Sequence, residues 1–324
     1  MSNGVFEFLD RHSSLILTTH DPSDPDGLGA ERVFSLIARS MGKTVRIVNS
    51  SPTPEKYRFL DPDNAIETWK TLDKPLDRKA ALVILDTADE YFIGELRQLI
   101  PYAAEVFAID HHEPNRFSTI KGAIDNTASS TCEMVVDLAR QAGISLTPEC
   151  AHAAYAGMVY DTGFFGYAKT TTRTFRAALT LIEAGAKPYA VYQELNENTS
   201  AGALLLQKIA FSTLEFHHDG RVGVQVLSKR DLEATGASFE DSENFVNVPL
   251  RSREVLVSVL IKQTREGQTR CSLRSKGTVN VSKIAQTLGG GGHVSSAGFR
   301  SSLSPEETLA VVLKKIEEEM GKTT

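Results

Sequence analysis

Apolar and polar positions follow two different periods along this chain, and the changes of period mark its elements. Residues 15–19 are an unbroken apolar and β-branched run, which predicts a strand buried on both faces. The polar stretch 20–29 is predicted as a loop, and from Ala30 the spacing of Val33, Phe34, Leu36 and Ile37 is helical until Gly42. Residues 44–48 then read as a strand, so the chain opens as a parallel α/β sheet.

The order recurs. Residues 81–85 and 106–109 are two more apolar runs, ending at Asp86 and at Asp110, His111 and His112. Helices are predicted over 133–142, closed by Gly143, from Pro148 toward Val159, delivering Asp161, and over 172–184, stopped by Gly185. In open parallel sheets ligands sit beyond the carboxyl ends of the strands, and three polar clusters fall there, so the topology predicts their convergence. Residues 187–210 read as a helical connector. Beyond it 222–227, 256–263 and 269–273 read as strands, the last two joined by a turn at Glu266 and Gly267, with helices over 281–288 and 305–320. The expected fold class is α/β. A Rossmann-like, mainly parallel sheet flanked by helices occupies 1–187, a helical linker 188–212, and a smaller α+β domain with a mixed sheet 213–324.

With 324 residues, 41% of them hydrophobic, the chain can bury two cores. A net charge of −6 argues against a surface that tracks long DNA or RNA, but not against a short ligand held by cations or a few Arg and Lys. Cys132, Cys150 and Cys271 are too few and too far apart for a zinc knuckle or a redox pair. No leader pattern stands at the N-terminus, and no run approaches the roughly 18 apolar residues of a membrane span. The expectation is a cytoplasmic protein with reduced thiols and no membrane partner.

His20, Asp24 and Asp26 fall at i, i+4 and i+6 of one turn-rich stretch and could wrap a cation; a solvated turn with a helix cap is the alternative. Asp86 and Asp110-His111-His112 emerge where buried strands reach the sheet rim, and each alone reads equally as a cap. Together these carboxylates would repel one another unless cations sit among them, and their number argues for two ions. The mix of imidazole and carboxylate suits manganese, cobalt, iron or zinc better than an all-oxygen cage. Asp161 would stand at the unfavourable end of a helix dipole, where a positive charge would compensate it. Ser129, Ser130 and Thr131 read as a helix cap or as phosphate ligands. The glycine run 289–292 is either a turn or an anion cradle, and Arg274, Ser275 and Lys276 tip it toward the second.

These residues, in this order, resemble the DHH phosphoesterase family, named after the triplet found here as Asp110-His111-His112. His20, Asp24 and Asp26 match its first motif, Asp86 its second and Asp161 its fourth. The C-terminal part is similar to the DHHA1 domain in Arg274-Ser275, Val279-Asn280-Val281, Gly289-Gly290-Gly291-Gly292-His293 and Ala297-Gly298. Pro25 between the motif carboxylates, and Ser296 where alanine is commoner, are departures that remove no ligand. The basic segment of the related manganese pyrophosphatases is not visible, and the overall size resembles the stand-alone nanoRNase type. The resemblance implies hydrolysis of oligoribonucleotides of a few residues, dinucleotides included, to nucleoside 5′-monophosphates, by metal-activated water at the P–O3′ bond. In some members it implies dephosphorylation of 3′-phosphoadenosine 5′-phosphate as well. It further implies one metal on His20, Asp24 and Asp86 and a second on Asp26, Asp86, His111 and Asp161, with Asp86 bridging. His112 would contact the scissile phosphate or protonate the leaving oxygen, and Asp110 would orient an imidazole. Substrate contacts would come from Arg274, Ser275, Lys276, Gly290, Gly291, Gly292 and His293, in a cleft between the domains. Manganese is the expected metal, with cobalt, zinc or magnesium as alternatives, and a homodimer the expected assembly. Two other readings stand beside this one: a family member acting on linear or cyclic dinucleotides or single-stranded DNA, and a non-catalytic nucleotide-binding regulator, which would lack metal ligands.

Overall fold

A computed structural model of the chain describes residues 2–113, 119–264 and 267–321. Two compact units, residues 1–198 and 199–324, make up the molecule.

The first unit runs α1 (Ser2–Arg11), β1 (Ser14–Thr19), α2 (Pro25–Ser40), β2 (Thr44–Asn49), β3 (Ile66–Thr68), β4 (Ala81–Leu85), β5 (Val106–Asp110), β6 (Lys121–Ile124), α3 (Thr131–Gln141), α4 (Pro148–Asp161), α5 (Thr172–Glu183) and α6 (Pro188–Tyr192). Its strands form one sheet in the order β3-β2-β1-β4-β5-β6, every neighbouring pair parallel. β4 is buried at all five positions, which is why its sequence is an unbroken apolar run. One face packs Leu15, Leu17 and Val83 against Leu28, Phe34, Val135 and Met158 of the helices. The opposite face packs Ile16, Val48, Leu82 and Ile84 under Ile93, Leu96 and Leu99 of a 3₁₀ segment.

Strand order reverses direction between β1 and β4, which lie side by side with Thr19 opposite Leu85. Such a switch point opens a crevice beyond the carboxyl ends of the two strands, because their connections leave to opposite sides. His20 and Asp86 are the residues that follow in this register.

The predicted loop 20–29 is shorter than expected. Helix α2 begins at Pro25, capped by Asp24, whose Oδ1 accepts from the amides of Asp26 at 3.0 Å and Gly27 at 3.1 Å. Proline at the first helical position loses no hydrogen bond, so a residue that reads as a loop marker starts the helix. Gly27 and Gly157 then have steric work to do. A Cβ on Gly27 would lie 2.1 Å from Thr19 Oγ1, and one on Gly157 would lie 2.7 Å from the Pro25 carbonyl, so both allow α2 to start close to β1 and α4.

The second unit runs α7 (Ala201–Ser212), β7 (Glu215–His217), β8 (Val222–Leu227), α8 (Lys229–Thr235), β9 (Val257–Gln263), β10 (Thr269–Ser275), α9 (Val281–Thr287), β11 (Gly291–His293), β12 (Ser296–Ser301) and α10 (Pro305–Met320). The sheet order is β11-β12-β10-β9-β8-β7; β8 and β9 are parallel and the other pairs antiparallel, which makes it the mixed sheet expected. Val257, Val259, Cys271, Leu273 and Phe299 bury one face against α9 and α10. Leu227 and Leu260 on the other face are covered by Leu206, Leu232 and Phe245. Two sequence expectations shift. Arg274 and Ser275 lie within β10 rather than after it, and the second half of the glycine run is an edge strand, β11. Gly267 takes a left-handed φ of 83°, as a turn residue should; Glu266 lies outside the described residues. Among the described residues no helix is long and apolar enough to cross a membrane.

Candidate metal centre

Five elements bring their polar ends to the crevice at the switch point. His20 follows β1, Asp24 caps α2, Asp26 lies in its first turn, Asp86 follows β4, Asp110 ends β5 with His111 and His112 behind it, and Asp161 ends α4. The separate sequence segments meet as the topology predicted.

Asp86 stands at the middle. It is 2% exposed, and its backbone is left-handed at φ 64°, a conformation that Asp tolerates better than most residues. Its Oδ2 lies 3.4 Å from His20 Nε2 and its Oδ1 3.5 Å from His111 Nε2. His20 Nε2 is also 3.5 Å from Asp24 Oδ1, so the helix cap and the cluster share one oxygen. His111 Nε2 is 2.9 Å from Asp161 Oδ2 and 3.9 Å from Asp26 Oδ2. Three donor sets converge within 4.8 Å: His20, Asp24 and Asp86; Asp26, His111 and Asp161; and Asp86, His111 and His112.

Asp26 is fully buried at the N-terminus of α3, where its oxygens accept from the amides of Thr131 at 2.6 Å and Cys132 at 2.9 Å. The Thr131 hydroxyl donates to Asp86 Oδ1 at 2.9 Å, so one residue orients two carboxylates. Ser130 caps α3 by accepting from the Glu133 amide, and Ser129 donates to Glu133 Oε2. Sequence reasoning had these three serines and threonines as cap or phosphate ligands and missed the orienting role of Thr131, which only the approach of α3 to β4 reveals. His112 is 41% exposed, and its Nδ1 lies 2.7 Å from Asp110 Oδ1, which also accepts the His112 amide.

The charges are strained without cations. Burial and the Asp86 charge push Asp26 well above the usual carboxylate range, and burial raises Asp161 too, despite the nearby imidazole of His111. Burial would also raise Asp86 and Asp110, but His20 and His111 around the first and His112 beside the second outweigh it and hold both below their ordinary values. Burial would lower His111, yet Asp161, Asp86 and Asp26 carry it up to about 10. Five carboxylates and three imidazoles leave an uncompensated negative charge even with every imidazole protonated. Among the described residues neither ring nitrogen of the buried His111 has a hydrogen-bond partner of good geometry, although Asp161 is near. Close, misaligned donors of this kind suit atoms that point at a shared third centre rather than at each other. The residues therefore fit divalent cations, and neutral imidazoles beside two such ions bring the set within one charge of balance.

The predicted substrate residues lie in the second unit and are scattered over its sheet. Arg274 is on the face opposite the buried Leu273, and its Nη1 donates to the Leu273 carbonyl at 3.0 Å. Ser275 is turned inward and donates to the Val279 carbonyl at 2.7 Å. Lys276 is exposed, with Nζ 2.6 Å from the Ser252 carbonyl. Gly290 and Gly292 permit close strand approach: a Cβ would meet the carbonyls of Gly298 at 2.2 Å and Ser296 at 2.4 Å, whereas Gly291 faces open space. His293 ends β11, and its side chain lies outside the described residues.

Comparison with known proteins agrees with this arrangement. The DHH family N-terminal domain matches residues 14–158, and the DHHA1 domain matches residues 219–322. The bifunctional oligoribonuclease and PAP phosphatase NrnA of Thermus thermophilus is 30% identical over 94% of this chain and 90% of its own length. The protein of the same description from Bacillus subtilis is 26% identical over 92% of both. Among solved structures, an exopolyphosphatase-related protein from Bacteroides fragilis superposes with a TM-score of 0.91 over 99% of this chain and 97% of its own, at 23% identity, and so shares the fold. With both of its domains matched, and the Asp and His residues of the first gathered at one sheet rim, the chain belongs to the DHH family of metal-dependent phosphoesterases, in the branch that carries a DHHA1 domain.

Proposed function

We propose that the protein hydrolyses oligoribonucleotides of a few residues, dinucleotides included, to nucleoside 5′-monophosphates and removes the 3′-phosphate of 3′-phosphoadenosine 5′-phosphate. The observation that carries this reading is the pair of three-residue donor sets built around Asp86 and His111. In this reading residues 1–187 carry the chemistry, with His20, Asp24 and Asp86 holding one ion and Asp26, Asp86, His111 and Asp161 the other. Manganese is the proposed ion, since mixed imidazole and carboxylate ligands favour it over magnesium. Such ions, when bound, polarise the phosphoryl oxygens and make water acidic enough to attack at neutral pH.

The chain's own residues do the rest. Asp110 fixes the ring of His112 through Nδ1 and favours its protonated form, so His112 is placed to give a proton to the leaving 3′ oxygen. Thr131 keeps Asp86 and Asp26 in one geometry as charge shifts around them. Residues 213–324 hold the nucleotide beyond the scissile bond through Arg274, the glycine strand and His293. A dinucleotide and a nucleoside 3′,5′-bisphosphate present the same P–O3′ bond, so one centre serves both. The relatives named above are described as acting on both kinds of substrate, which supports the proposal.

The test is a manganese-dependent assay on a ribodinucleotide, a cyclic dinucleotide, a single-stranded DNA 20-mer and 3′-phosphoadenosine 5′-phosphate. Turnover of the first and last, with little of the others, is expected. Preference for the cyclic dinucleotide or the DNA would overturn the substrate assignment, and nucleotide binding without turnover of any of them would overturn the enzymatic one.

A further inference from the structure

The segment between α4 and α5, residues 162–171, leaves the metal centre at Asp161 and returns to it at His111. Gly163, Phe164 and Phe165 take left-handed φ values of 54°, 55° and 66°, and for the two phenylalanines that backbone is strained. Packing and hydrogen bonds hold it. Thr162 Oγ1 accepts the Phe165 amide at 3.0 Å and donates to the Met158 carbonyl at 2.7 Å, and the Tyr167 amide donates to the Thr162 carbonyl at 2.9 Å. The Phe165 ring stacks on Phe175 of α5 with centroids 5.0 Å apart, and the Tyr167 ring lies against Gly163, where a Cβ would come within 2.5 Å of it. A capping box between Thr171 and Thr174 closes the far end. Strain persists only where the surroundings over-determine it, and such places are commonly ligand sites.

What this turn delivers is Lys169, whose Nζ donates to the His111 carbonyl at 3.2 Å. That carbonyl belongs to the peptide between His111, which faces the buried carboxylates, and the partly exposed His112. The lysine is exposed, and among the described residues it is in no ion pair. One of its three N–H donors is spent on the carbonyl, and two remain for a ligand. A cation in this place has an electrostatic reason. Two divalent ions among Asp24, Asp26, Asp86, Asp110 and Asp161 leave the centre with one net negative charge when its imidazoles are neutral. A phosphodiester brings one more negative charge, whereas a phosphomonoester brings nearly two above about pH 7, since its second proton leaves near about pH 6. The monoester is the ligand such a centre repels more strongly, and it gains more from an added cation.

We propose that Lys169 is a specificity-determining residue that binds the non-bridging oxygens of a terminal 3′-phosphate at the metal centre, and so sets how well this chain accepts a phosphomonoester relative to a phosphodiester. This rests on the reading that one centre serves both bonds. A nucleoside 3′,5′-bisphosphate depends on the lysine, and a dinucleotide does so far less.

The experiment uses the manganese-loaded full chain at about pH 8 and two uncleavable probes, each an adenosine 5′-phosphate with CH2 in place of the 3′ oxygen. One probe ends there in a phosphonate dianion, and the other continues through a singly charged phosphonate ester to a second adenosine. Binding of both is measured by calorimetry, and turnover is measured on the natural compounds they imitate. Lys169→Met, which keeps the apolar stem but not the charge, is expected to weaken the dianionic probe by about 10-fold and the singly charged one by less than about 2-fold. The kcat/KM for 3′-phosphate release should fall in the same proportion relative to dinucleotide hydrolysis. Lys169→Arg should restore most of the difference. Equal losses on both probes would show that the lysine only ties the turn to His111 and would overturn the proposal, as would unchanged binding of the dianion. If neither natural compound is turned over, the proposed function fails, while the two binding constants still decide the role of Lys169.

Discussion

At the rim of the first sheet, carboxylates and imidazoles from five elements are packed within a few ångströms of one another and mostly buried. On the second sheet, Arg270 and Arg274 of β10 are half-buried and Arg300 of β12, in register with Arg270, is exposed. The two regions hold charge under different constraints. A buried set of like charges is stable only with its counter-ions in place, so the first region implies resident cations and a backbone that fixes every ligand. Arginines that keep part of the side chain in water are screened and need no resident counter-ion, so the second region is suited to affinity rather than chemistry. The first should respond to single substitutions by losing metal and rate, and the second by losing substrate.

The largest effect is expected at Asp86. Asp86→Asn keeps the shape of the side chain but removes the charge that faces both His20 and His111, and it should lower kcat by about 10³-fold or more and abolish tight manganese binding in calorimetry. An Asp86→Asn enzyme within 10-fold of the parent would break the comparison outright. Asp110→Asn comes next. It loses the charge behind His112, so kcat should fall about 10²-fold, with KM moving far less. A rise in KM alone would mean that His112 binds rather than donates.

Thr131→Val sharpens the comparison, because its backbone bond to Asp26 survives and only the hydroxyl bond to Asp86 is lost. Manganese affinity is expected to weaken by about 10-fold with the thermal midpoint little changed. The smallest effect on turnover is expected at Glu31, whose substitution reads out in stability instead. Glu31 is fully buried, and burial outweighs the Asn49 amide and the His20 charge to push its carboxyl up to about 8. A folded value above the ordinary one means that the stability Glu31 confers is complete below pH 4.5 and is lost as pH rises through 8. In metal-free protein the urea midpoint of Glu31→Gln should therefore gain on the parent between pH 5 and pH 8, at up to about 1.4 kcal/mol per pH unit. A constant difference across that range would show that Glu31 does not titrate there.

Much of the metal centre was legible in the sequence because its residues sit where an apolar run stops. Asp86 and Asp110 end buried strands, and a parallel sheet sends all its strand ends to one rim. The exact place of Asp26 was not legible. Pro25, Gly27 and Gly29 read as loop markers, yet proline serves as the first residue of α2, and glycine at 27 is needed for contact with β1, a relation between distant segments. Thr131 was ambiguous for the same reason, since its role depends on where α3 lands. In the second unit the strand carrying Arg274 was visible, but β11 and β12 are short and rich in glycine and serine, too weak in apolar period to announce themselves. The row of Arg270 and Arg300 exists only through their register, and nothing local in either segment specifies it.

Anomalous diffraction from manganese-soaked crystals tests the central claim most directly. Two peaks are predicted, one among His20, Asp24 and Asp86 and the other among Asp26, Asp86, His111 and Asp161, with Asp86 touching both. Density at neither place, or manganese bound only elsewhere on the protein, would contradict it.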